Sequence, residues 1–360
     1  MKRLLVIALL WGAAHAQDIT LPEYERVVLD NGTVLLLAEK HDVPLVGLRA
    51  AVRGGTSADP AERAGMAALL ATLLQKGAGS RDAAAFAEAA AAVGGDISVG
   101  AGLESTAVSA EFLSRDAELM IELVADMLMR PTLSEDEFLK ERDRTIALIQ
   151  AAKGSNVNAL MPSYGNAFIF GEHPYGSPPF GSEASLAEIE HDELQQHYAD
   201  HFGGDRLVVA VVGDFDLEAM KAKLASVFGE WAPAAAELPA LTGAPRIEGR
   251  RVLLIDKPGA AQTYFWIGNV GVPLSYQRRA ELRLANTLFG GRFTSMLMTA
   301  LRVESGLTYG ASARVEQHAA PGSVTIRSYT ETSKTVEAID LAIDVLERLH
   351  QRGVHDEMIA

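Results

Sequence analysis

One order of strand and helix signals occurs twice along this chain, and a repeated order constrains the architecture more than any single motif. In the first copy, 24–38 alternates about the turn signal Asn31-Gly32, and a strand over 45–52 ends at Gly54-Gly55. Helices follow over 64–74 and 82–93, then two strands within 96–112, then a helix over 115–129 closed by Pro131. In the second copy, strands over 251–255 and 262–268 precede helices over 278–289 and 295–304. Strands over 309–315 and 322–328 then lead into a helix over 333–352. Between the copies, 232–245 holds Pro233, Pro239, Gly243 and Pro245 and has neither a helical nor a strand period, which marks a linker. The expected fold class is therefore α+β, with two related domains, each a mainly antiparallel sheet with helices on one face.

The first copy continues with a long helix opened by Ser134-Glu135-Asp136-Glu137, where acidic side chains suit the helix dipole, and a strand over 207–212. Asp356-Glu357-Met358 echoes Asp136-Glu137-Phe138, yet the sequence stops at Ala360, where the first copy runs on for about 90 residues. The second domain reads as truncated. The domain expectation is 17–231, a linker over 232–245, and 246–360.

Residues 1–16 have the three parts of an export signal in order: Lys2 and Arg3, an apolar run over 4–11, and the small-x-small site Ala14-His15-Ala16. The run is too short for the ~20 residues that span a bilayer. Removing the segment takes the formal net charge from −15 to −17. There are no cysteines, which excludes disulfides, thiol catalysis and thiolate metal sites. Export without disulfides fits a bacterial periplasm. No basic patch offers an electrostatic footing for nucleic acid.

Several local motifs, in order, resemble the pitrilysin/insulinase peptidase family, M16, which includes the mitochondrial processing peptidase. They are Asn31-Gly32, Gly54-Gly55, Gly65-Met66, Gln75-Lys76-Gly77, Gly94-Gly95, Glu141-Arg142, His173-Pro174-Tyr175-Gly176 and Val212-Gly213-Asp214, then Gly290-Gly291, Leu301-Arg302, Glu304 and Gly306-Leu307-Thr308-Tyr309. The resemblance covers about 22–360 and implies the LuxS/mitochondrial-processing-peptidase type of metallohydrolase fold.

Active members carry His-x-x-Glu-His on a helix, two imidazoles on one face for zinc and a carboxylate between them to activate water. The matching positions here are Ala68, Ala71 and Thr72, and the third-ligand position falls at about Leu148. None of these side chains can hold zinc or act as a base, and small or apolar residues are expected to pack the site as core. The resemblance also implies an Arg/Tyr pair, seven residues apart, that binds substrate backbone and stabilises charge on the attacked carbonyl. Arg302 and Tyr309 match it. In two-subunit bacterial members one chain carries zinc and the other this pair. The chain thus reads as the zinc-free accessory subunit of a heterodimer that hydrolyses peptides, with no cofactor of its own and zinc in its partner.

Two other readings stay open. The chain is a silent binding or assembly protein on the same scaffold, or an independent zinc peptidase built on His197-Tyr198-Ala199-Asp200-His201, which places two histidines four apart. The bland reading of that stretch is a solvated helix end, where histidine suits the dipole.

Overall fold

The computed structural model describes residues 23–241 and 243–354. The export signal, the expected first mature residue Gln17 and the echo at 356–358 lie outside the described residues. The first half is built on six strands: β1 (Glu25–Val28), β2 (Val34–Glu39), β3 (Leu45–Arg53), β4 (Asp96–Ala101), β5 (Ser105–Leu113) and β6 (Leu207–Gly213), in the order β1-β2-β6-β3-β5-β4. Every neighbouring pair is antiparallel except β2 with β6. Alternation fixes the register. Val46, Leu48, Ala50 and Val52 on β3 point to the core, as do Val108, Ala110 and Phe112 on β5.

That face is covered by helices α1 (Met66–Leu73), α2 (Ala83–Ala91), α3 (Ala117–Met129), α4 (Glu135–Ser155), α6 (His191–His201) and α7 (Leu217–Phe228), while α5 (Met161–Phe170) packs toward the second half. Buried Leu70 and Leu73 of α1, Met120 and Val124 of α3, and Leu224 and Phe228 of α7 join the strand residues in one core. Start signals act as expected. The Asp82 side chain accepts from the Ala85 amide to cap α2, and Ser134 accepts from Glu137 to cap α4.

The second half repeats part of this plan. Strands β7 (Gln262–Val270), β8 (Ala311–Val315) and β9 (Ser323–Glu331) pair in the order β8-β9-β7, the order in which β4, β5 and β3 pair in the first sheet. Phe265, Ile326, Ala311 and Ala313 from one face pack with Leu297, Leu301 and with Ala338, Ala342 and Val345 of α9 (Thr335–Arg352). A further helix, α8 (Arg279–Asn286), precedes two wide helical turns of π-type hydrogen bonding, Thr287–Gly291 and Thr299–Glu304. The other face of this sheet meets the first half: Ile169, Phe170 and Tyr175 cluster with Trp266, Val270 and Ala320.

The strand expected over 251–255 does not form. Val252 and Leu254 are 89% and 86% exposed, and the segment is held at its basic ends. The Arg251 guanidinium lies over the Phe168 ring and donates to the Phe168 carbonyl, and Lys257 donates to the carbonyls of Lys153 and Gly154. An apolar run becomes a strand only beside a free ladder. In the first sheet β2 reaches β3 through β6, and among the described residues the second sheet has no counterpart of β6.

Candidate functional site

The zinc-motif positions implied by the resemblance fall on α1. Its apolar side chains Met66, Leu69, Leu70 and Leu73 are buried, as is Ala71. Ala68 and Thr72 form an i, i+4 stripe on its more open side, where the Thr72 hydroxyl turns back to the Ala68 carbonyl at 3.1 Å. Leu148 on α4 is 60% exposed. Packing as core, expected of the alanines and the leucine, holds for Ala71, holds in part for half-buried Ala68 and fails for Leu148; Thr72 is exposed. Thr72 and Leu148 sit where a polar side chain could remain hydrated, so burial does not explain the chemistry at those two positions. Their side chains offer neither lone pairs of the required kind nor a base, and they do not fit zinc.

Arg302 and Tyr309 come together. Arg302 lies on the wide turn Thr299–Glu304, and its guanidinium sits 5.3 Å from the Tyr309 ring centre. It also stacks 4.7 Å from the ring of Phe293, a residue that sequence reasoning missed. Tyr309 is 78% exposed, so this arginine is held between two rings at an open surface. The intervening loop explains the placement. Gly306 adopts φ +66°, a left-handed conformation open to glycine at no cost, and the chain turns back so that the amides of Leu307 and Thr308 both donate to the Leu301 carbonyl. The Thr330 hydroxyl donates to the Leu307 carbonyl, and the Ser328 hydroxyl bonds the Thr308 hydroxyl at 3.2 Å, pinning the loop to β9. Gly290 provides close packing: a Cβ there would lie 2.5 Å from the Ala313 nitrogen.

His197 and His201 of α6 are also neighbours, with ring centres 4.5 Å apart. His197 is buried, and its Nε2 lies 3.8 Å from Asp59. Arg206 approaches Nδ1 of His201 at 3.1 Å, which puts a guanidinium where a metal ion would need a lone pair. Burial lowers the His197 pKa to about 3, and it raises that of Asp59 to about 7. Asp59 accepts the Gly65 and Ala67 amides, each at 2.9 Å, and so anchors the start of α1. No group of three or more His, Cys, Asp or Glu side chains placed to share a metal ion occurs among the described residues. The solvated helix end expected here is instead a buried polar cluster.

Taken together, the repeated α+β halves have the architecture of the two-domain metallopeptidase class, with no metal-holding cluster among the described residues. The model for the insulinase peptidase family M16 matches residues 34–178, and the model for the peptidase M16 inactive domain matches 188–360. The chain belongs to the M16 peptidase family. It is 28% identical to an uncharacterized zinc protease of Mycobacterium leprae over 301 residues, which cover 83% of this chain and 67% of that protein. It is 24% identical to the non-peptidase homolog YmxG of Helicobacter pylori, over 97% of this chain and 80% of that one. The crystal structure of a peptidase M16 inactive domain from Pseudomonas fluorescens superposes with a TM-score of 0.86 at 23% identity, covering 93% of this chain and 81% of the other. No helix among the described residues is long and apolar enough to cross a membrane.

Proposed function

We propose that this chain is the accessory subunit of a heterodimeric, periplasmic zinc peptidase, delivered there by the segment 1–16. A zinc-bearing relative in the same family performs the hydrolysis, and this chain closes the chamber over the peptide. Arg302 and Tyr309 supply hydrogen-bond donors to the substrate carbonyl, whose oxygen gains negative charge as it is attacked. The observation that carries this reading is a contrast. The motif helix has lost every group that could bind metal, while Arg302 stays clamped between Phe293 and Tyr309 at an exposed surface. A half-buried guanidinium oriented by two exposed rings is placed to meet a ligand, which supports a substrate-facing role over a purely structural one.

The test is peptide hydrolysis by the full chain alone and mixed with a His-x-x-Glu-His relative from the same organism. Activity is expected only in the mixture. In that mixture Arg302→Ala or Tyr309→Phe should lower turnover about 10²–10³-fold, the scale for one lost oxyanion donor. Unchanged turnover in both variants would remove the pair from the mechanism and favour a silent binding role. Activity of the isolated chain, abolished by a chelator and by His197→Ala, would point to the third reading.

A further inference from the structure

A cleft of about 350 Å³ opens between α5 and the outward face of the second sheet, starting at Gly310, the residue after Tyr309. Met161 lines one wall, and Trp266, Arg314, Arg327 and Tyr329 line the other. Its charge is the opposite of the whole molecule's. The chain has a formal net charge of −15, yet two guanidinium groups from neighbouring strands meet here. They are poorly compensated. Arg314 makes no ion pair among the described residues, and Arg327 has only Glu316, at 3.7 Å. Glu316 also accepts from the Ser323 hydroxyl. Burial is the main cause that lowers the Arg327 pKa; Glu316 opposes it and Arg314 adds to it. Two further donors are buried with no hydrogen-bond partner among the described residues: Nε of Arg327, whose guanidinium lies 6.0 Å from the Trp266 ring centre, and the indole Nε1 of Trp266. These two residues are cross-strand partners on β9 and β7, so their donors belong to one small patch. Desolvated donors beside like charges are costly unless an anion approaches them. The planar guanidinium fork matches a carboxylate.

We propose that this cleft is a carboxylate-binding subsite for a peptide, lying next to Tyr309 and taking either a C-terminal carboxylate or an Asp or Glu side chain. The proposal rests on the reading that the Arg302/Tyr309 surface faces substrate. It adds that the peptide is selected for negative charge beyond that point, an unusual preference in an acidic protein.

The test needs neither partner nor turnover. The full chain labelled with ¹⁵N-tryptophan is titrated with N-acetylated pentaalanine bearing a free C-terminus, with the same peptide amidated, and with the amidated peptide carrying one central glutamate. The readout is the indole N–H resonance of Trp266, assigned with Trp266→Phe. The free-acid peptide should move it, and the amide should not. A response to the glutamate peptide in place of the free acid would identify a side chain as the source of the carboxylate. Arg327→Gln should weaken the response about 10- to 100-fold, as for a lost charged hydrogen bond. Arg314→Gln, at an exposed position, should weaken it without threatening the fold. Equal shifts from acid and amide, no shift at all, or unchanged titrations in both arginine variants would overturn the proposal. So would an equal response to acetate alone, which would reduce the cleft to a general anion contact. None of these results bears on whether Arg302 is needed for turnover, so the two readings can fail separately.

Discussion

At the scale of single residues, Asp59 and His197 set opposing proton balances. The Asp59 pKa is raised to about 7 from 3.8, so between those values the folded state holds a proton that the unfolded chain has lost, and stability falls as pH rises. The His197 pKa is lowered to about 3 from 6.5, so in that window the unfolded chain holds the extra proton and stability rises with pH. From pH 3.8 to 6.5 the two contributions cancel. Removing either should expose the other. Asp59→Asn should leave stability rising with pH at up to about 1.4 kcal/mol per unit, and His197→Gln should leave it falling at a similar slope. Urea unfolding at several pH values between 4 and 6.5 checks both; flat profiles in both variants would mean that the two groups titrate normally. Phe293 acts at the same scale. Its stack holds Arg302, so Phe293→Ala should cost the mixed enzyme about 2- to 5-fold in turnover, the worth of one exposed cation–π contact, far less than loss of Arg302. A loss as large as that of Arg302→Ala would mean that Phe293 touches substrate itself.

At the scale of elements, the contact of α5 with β7 decides how the halves meet. A Cβ on Gly165 would fall 2.3 Å from the Trp266 ring. Gly165→Ala sets two effects against each other: a gain of about 1 kcal/mol in helix propensity, and overpacking that costs about 1–3 kcal/mol. The rigid indole cannot yield as a flexible side chain would, so overpacking should win. The thermal midpoint should drop and Trp266 emission should shift; a rise in the midpoint would show that the helix slides freely over the sheet. This element was hidden in the sequence because Pro162 and Gly165 are poor helix formers and its stability comes from the tertiary contact. The strands β3, β5 and β6 were legible because alternation and closing turns are local. Residues 251–255 were misread because a strand depends on the ladder beside it. Arg302 and Tyr309 were singled out only through the family resemblance, since their side chains meet across the turn at Gly306 and local periodicity does not signal that. Phe293 was not, since nothing local ties it to Arg302, and the cleft with Arg314 and Arg327 depends on two halves meeting.

At the scale of the whole molecule, one small polar junction couples the halves. The Tyr175 hydroxyl donates to Glu104, in the turn between β4 and β5, at 2.5 Å. The same carboxylate accepts the Ala319 amide at 2.9 Å, and the Tyr175 oxygen accepts the Ala320 amide at 3.1 Å. Both amides belong to the loop joining β8 to β9. Burial, reinforced by Glu104, pushes the Tyr175 pKa upward, so the phenol remains a donor across the working range. Tyr175 and Glu104 each have one partner in each half, so loosening the junction should free the loop before either core yields. Tyr175→Phe removes one donor and one acceptor but keeps the ring packed against Phe170 and His318. It should cost about 1.5–3 kcal/mol at the junction, the range for hydrogen bonds to a charged group. Hydrogen exchange at the Ala319 and Ala320 amides should then quicken about tenfold or more, while amides on β3 and β5 keep their protection. Glu104→Gln should act on Ala319 in the same direction. If the two substitutions are coupled, the double variant should cost less than the sum of the singles by about 1 kcal/mol or more. Strict additivity would mean that Glu104 and Tyr175 hold the loop independently. Unchanged exchange in both variants would mean that the other contacts, α5 with Trp266 and the anchors of Arg251 and Lys257, fix one half against the other.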